Sequence, residues 1–120
     1  MLICLAAPAA WAPSALGQTT CTEPVAPAPV DGATITVDQL RAAIADAKSF
    51  IALSDVYQSC LTSEAQAMSQ PANPGDKPAP PPGLAEATNA RIAANQKQKE
   101  KVGASINAAI GAYKDAHAPK

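Results

Sequence analysis

The segment LRAAIADAKSFIALSDVYQSCL, residues 40–61, sets Leu40, Ile44, Ala47, Ile51, Ser54, Gln58 and Leu61 at alternating steps of four and three. Read in reverse, Tyr113, Ala109, Ile106, Val102, Lys99, Asn95 and Ile92 repeat that rhythm. A proline-rich gap lies between the two runs. Folding the chain at the gap brings Leu40 opposite Tyr113, Ile51 opposite Val102, Leu61 opposite Ile92 and the polar Gln58 opposite the polar Asn95. The pattern predicts an all-α fold, an antiparallel two-helix hairpin with a heptad-like seam. Sliding one run by a heptad preserves the apolar match. Only the register chosen here pairs Gln58 with Asn95.

Working outward, the start of the first helix carries a complete signal. Thr36 and Gln39 form a capping box, and Ile35 and Leu40 form a hydrophobic staple. The helix is expected over about 37–69, because Pro71 biases Gln70 away from helical angles. Residues 70–83, QPANPGDKPAPPPG, form an exposed connector stiffened by Pro80–Pro82. The second helix is expected over about 84–117, with Glu86 in its first turn, where the helix dipole favours an acid. The hairpin thus occupies 36–118, preceded by an extended proline-rich arm over 18–35.

Residues 1–17 read as a cleavable export leader, apolar, uncharged and ending in the small-x-small triplet Ala15-Leu16-Gly17. No Lys or Arg precedes the apolar run, a departure from the usual leader. A buried or disordered N-terminal segment is the alternative. Removing the leader takes Cys4 with it and leaves Cys21 and Cys60, an even pair suited to an oxidising compartment. Cys60 lies about 35 Å along the helix from Val37, and the intervening arm can reach about 50 Å. A Cys21–Cys60 disulfide is therefore feasible, and closing so long a loop stabilises by about 4 kcal/mol in the chain-entropy model. An intermolecular bond or a free thiol competes with it.

Phe50, Leu53, Tyr57 and Cys60 make a second stripe on the first helix, outside the seam. The arm, through Val25 and Val30, or another protein chain must cover it. Phe50, Leu53 and Tyr57 are accordingly the candidate interaction stripe. Within the seam, Gln58, Asn95, Ser54 and Lys99 form a polar layer that can fix register, with Lys99 laying its stem along the seam towards Asp55. Such a layer could also hold a small ligand. Gly103 and Gly111 in the second helix point either to close backbone approach or to tolerated glycine.

Chemistry-bearing motifs are scarce. His117 is the sole histidine and sits near a helix end, so a nucleophile–histidine pair has little to build on. Neither CxxC nor HxxxH spacing occurs, and no glycine-rich phosphate loop is present. No catalytic residue, metal ligand or cofactor site is expected. The run Lys97-Gln98-Lys99-Glu100-Lys101 reads as a solvated helix face, with an anionic envelope polymer or lipid headgroup as the alternative. With nine basic and ten acidic residues, a net charge of −1 gives no field to draw in nucleic acid.

The sequence therefore predicts shape more sharply than role. The expectation is a periplasmic or secreted, non-enzymatic helical protein of the bacterial cell envelope. It binds an unidentified protein or itself, and its mature chain has no integral membrane segment. A small chaperone or inhibitor holding clients on the apolar stripe is the alternative, and a thiol-dependent redox protein a lesser one.

Overall fold

The computed structural model describes residues 21–119. The expected leader at 1–17 and the first residues of the arm lie outside them. Among the described residues the chain is all-helical, with α1 at Val37–Met68 and α2 at Leu84–Ala116 and no strand. Each helix stops one residue short of the boundary expected from sequence.

Local chemistry accounts for both starts. The Thr36 hydroxyl accepts from the Gln39 backbone N–H at 3.1 Å, and the Gln39 side chain accepts from the Thr36 N–H at 2.9 Å. The two contacts complete a capping box that satisfies otherwise orphaned donors. The start of α2 has no side-chain cap. Gly83 sits there at φ 80°, a left-handed conformation that glycine adopts without a Cβ penalty, and it turns the chain from the proline run into the helix. Residues 72–83 are exposed, and the Ala79 N–H ties the connector back to the Ser69 carbonyl at 2.9 Å.

The helices touch along their length. Ala47, Phe50 and Val102 form the buried apolar cluster, flanked by Ile51 and Ile106. Further along α1, Gln58 meets Asn95 and Glu64 meets Arg91. Partner numbers in α2 thus fall as those in α1 rise. In α2, Asn95, Val102 and Ala109 are buried one heptad apart.

The buried positions of α1 correct one expectation. Leu40, Ala47, Ser54 and Leu61 lie in the seam as read from sequence, but the flank beside them is Phe50 and Tyr57 rather than Ile51 and Gln58. Phe50 and Tyr57 are only 3% and 4% exposed. Both have neighbours in the helices: Phe50 packs with Ala47 and Val102, and the Arg91 guanidinium lies over the Tyr57 ring. A third body, the arm, runs beside them. Cys21 is disulfide-bonded to Cys60. From there the extended arm passes a cleft whose walls include Pro27 and Val30 on its own side, Ala43 and Ala47 of α1, and Val102 of α2.

Along the arm, Cys21, Pro24 and Pro27 are half-buried while the residues between them are exposed. That period of three matches a polyproline-type path presenting one edge to the helices. Val25, expected to pack, is instead 90% exposed, because it falls out of phase with that edge.

The close backbone approach is also elsewhere than expected. Around Gly103 and Gly111 there is open space, whereas a Cβ on Gly32 would lie 1.8 Å from the Ala109 carbonyl oxygen. Alanine should therefore act with opposite signs at these positions. Gly32→Ala should cost about 1–3 kcal/mol through overpacking. Gly103→Ala and Gly111→Ala should each stabilise by up to about 1 kcal/mol. Urea unfolding followed by circular dichroism measures all three.

Candidate functional site

Three features of the described residues combine polar or reactive groups with defined geometry. The first is the polar layer of the seam. Asn95 and Ser54 are fully buried. The Asn95 amide donates to the Ser54 hydroxyl at 3.1 Å, and its carbonyl oxygen accepts from the Gln58 amide at 2.9 Å. Gln58 also donates to the Gln96 side chain at 3.2 Å. No buried side-chain nitrogen or oxygen among the described residues lacks a partner. Lys99 reaches out of the seam to pair with the Asp55 carboxylate. It is mostly buried along its stem, and Asp55 is largely exposed. Ser54 thus spends its hydroxyl on Asn95, one turn from Lys99.

This layer acts on register. A slip of one heptad sets Asn95 against Ile51 or Ala65 and strands its amide in an apolar seam. An unsatisfied buried amide costs about 1–3 kcal/mol, enough to disfavour the slipped pairing. The side chains of the layer pair with one another.

The second feature surrounds the disulfide. The Glu64 carboxylate lies 3.4 Å from the Cys21 sulfur. A disulfide carries no S–H, so this is a contact between a carboxylate and sulfur rather than a donated bond. Arg91 from α2 approaches Glu64 at 3.9 Å, and its guanidinium lies 5.8 Å from the centre of the Tyr57 ring. At that distance a cation over an aromatic face is attractive. Arg91 and Glu64 were missed in the sequence. The available signal was that Arg91 directly precedes Ile92, the seam partner of Leu61.

The third feature is the outer side of α1. Of the stripe Phe50, Leu53 and Tyr57, only Leu53 is open to solvent, at 54% exposure. Val56, one turn away and 66% exposed, extends it. Phe50 and Tyr57 are committed to the interior and are not accessible to a partner in this state. A cleft of 560 Å³ lies between the middle of the arm and both helices, with Asp46, Gln98, Lys101 and Ser105 among its polar walls.

His117 stacks on Tyr113 with ring centroids 4.0 Å apart, and its Nδ1 lies 2.8 Å from the Tyr113 carbonyl oxygen. It is an exposed helix-end residue with no acid or nucleophile paired to it among the described residues. No group of three His, Cys, Asp or Glu side chains among the described residues is arranged to hold a metal ion. No described helix is long and apolar enough to cross a membrane.

The polar layer makes a measurable claim. Asn95→Leu leaves the Ser54 hydroxyl without its partner and should destabilise by about 1–3 kcal/mol. The triple change Ser54→Ala, Gln58→Leu and Asn95→Leu should recover much of that loss while relaxing the register. Denaturant titration reads the first effect, and cross-linking between cysteine pairs placed one heptad apart reads the second.

No protein-family model matches the chain, and no curated protein or solved structure is significantly similar to it.

Proposed function

We propose that this chain is a non-enzymatic, protein-binding or structural component of the cell envelope. It works there as an antiparallel helical hairpin with a disulfide-fixed arm, after export by its N-terminal segment. The observation that carries this reading is the Cys21–Cys60 bond, which ties the arm to the far end of α1. Structural disulfides persist in oxidising compartments and are rare in reducing ones. A seam whose polar groups satisfy one another suits a scaffold, since its buried groups are occupied with each other.

The contact surface in this proposal is the Leu53–Val56 edge of α1. Leu53, the part of the stripe left uncovered, and Val56 beside it are large apolar side chains, each more than half exposed and one turn apart. The same edge favours a second reading, a small chaperone or inhibitor that holds clients there. It offers less area than the full stripe because Phe50 and Tyr57 are buried, so a dedicated partner or a second copy is the better fit.

Cell fractionation with cross-linking tests both readings. Chain recovered from the envelope fraction should resist thiol alkylation until it is reduced. In intact cells it should cross-link to one discrete species, lost in the double variant Leu53→Asp, Val56→Asp. A ladder of many clients supports the chaperone reading instead. Recovery from the cytosol with free thiols would refute the envelope assignment.

A further inference from the structure

The arm is anchored firmly at its ends and weakly between them. At one end Cys21 is bonded to Cys60, and at the other Gly32 packs its backbone against the Ala109 carbonyl. Between these anchors, Ala26, Ala28 and Pro29 are exposed and Val25 is almost fully so. Among the described residues, 22–30 make no hydrogen bond to either helix. The cleft beside the arm's midpoint means that it spans the helices as a strap rather than filling the groove. Ordering such a segment costs conformational entropy that a few half-buried rings do little to offset. The covalent bond is therefore what holds the strap down, and the strap runs beside the groove walled by Ala43 and Ala47 of α1 and Val102 and Ile106 of α2.

We propose that the Cys21–Cys60 bond is a redox latch. A reductant of the dithiol class opens it, frees the arm and bares the apolar groove walled by Ala43, Ala47, Val102 and Ile106 while the two helices persist. In the exchange, one thiolate of the reductant attacks one sulfur of the bond. The S–S bond breaks, and the displaced cysteine leaves as a thiolate that takes a proton from water. The reductant's second thiol then displaces the remaining cysteine, which is protonated in turn. Two electrons pass to the protein disulfide, and the dithiol ends as a disulfide.

Glu64 governs how readily the latch opens. Its carboxylate beside the Cys21 sulfur repels a thiolate attacking there. When Cys60 is attacked instead, the same charge disfavours Cys21 leaving as a thiolate. Arg91 partly offsets that charge. Both routes are slowed by Glu64, so the closed strap is guarded against adventitious reduction. This inference requires only the arm and the groove, and it stands whether or not the envelope assignment holds.

The test uses the full purified chain with dithiothreitol as the dithiol. Thiol labelling follows the reduction, far-ultraviolet circular dichroism follows the helices, and backbone relaxation follows Thr22, Val25, Ala26 and Ala28. The expected result is retained helicity, increased binding of an apolar dye, and order parameters in the arm falling from about 0.85 to below about 0.6. Cys60→Ser should show the same open state without reductant. Glu64→Gln should be reduced several-fold faster than the parent, and Arg91→Gln more slowly. Collapse of the helices on reduction would overturn the latch, since the bond would then be a staple for the whole fold. An arm that stays ordered after both thiols are labelled would overturn it equally. Equal reduction rates for Glu64→Gln and the parent would remove Glu64 from the mechanism.

Discussion

The placement of the arm depends on the covalent tie between Cys21 and Cys60, and a seam of two helices has little else beside it to bury. Its apolar interior consists of Leu40, Ala47, Phe50, Tyr57, Leu61, Val102 and Ala109, and two of these are alanines. Small cores of this kind gain from further contacts. Here the bond supplies them by positioning the arm. It lays an extended segment along one flank of the seam, so that a two-body contact becomes a three-body one. Gly32 is glycine because the arm's far end meets the α2 backbone with no room for a Cβ.

A thin, alanine-rich seam has a second difficulty, which is specificity. Repeated small apolar residues fit together in more than one register, and a heptad slip costs little in apolar contact. The Ser54–Asn95–Gln58 layer resolves this by making the wrong registers expensive rather than the right one especially stable. The outward pair of Lys99 with Asp55 sits beside the layer and adds a charge-assisted contact across the same two helices. Stability and uniqueness are thus supplied by different groups: the disulfide and arm for one, a buried amide for the other.

The helices, the capping box and the pairing of Gln58 with Asn95 were legible because each rests on a local signal or on a repeat. The Cys21–Cys60 bond was legible from arm length and helix rise. What escaped was whatever depends on how the elements are placed in three dimensions. A heptad repeat is nearly symmetric about its axis, so it cannot say whether Ile51 and Gln58 or Phe50 and Tyr57 form the deeper flank. Gly32 escaped for the same reason, since it reads as an ordinary turn glycine until the carbonyl of Ala109 is placed beside it. Arg91 and Glu64 carry no local signal of their pairing, because their meeting depends on the same three-dimensional placement.

The positions of the two cysteines also permit an order of assembly. Both precede the connector, so a chain that enters an oxidising compartment from its N-terminus presents the arm and α1 before α2. Their bond can close on a half-built molecule, holding an extended segment against a single helix. The second helix then arrives last, into a groove with one wall already in place. An arm fastened early would act as a jig: Gly32 waits near the position that Ala109 must take, and the final helix is guided to its stop by contacts set before it was made.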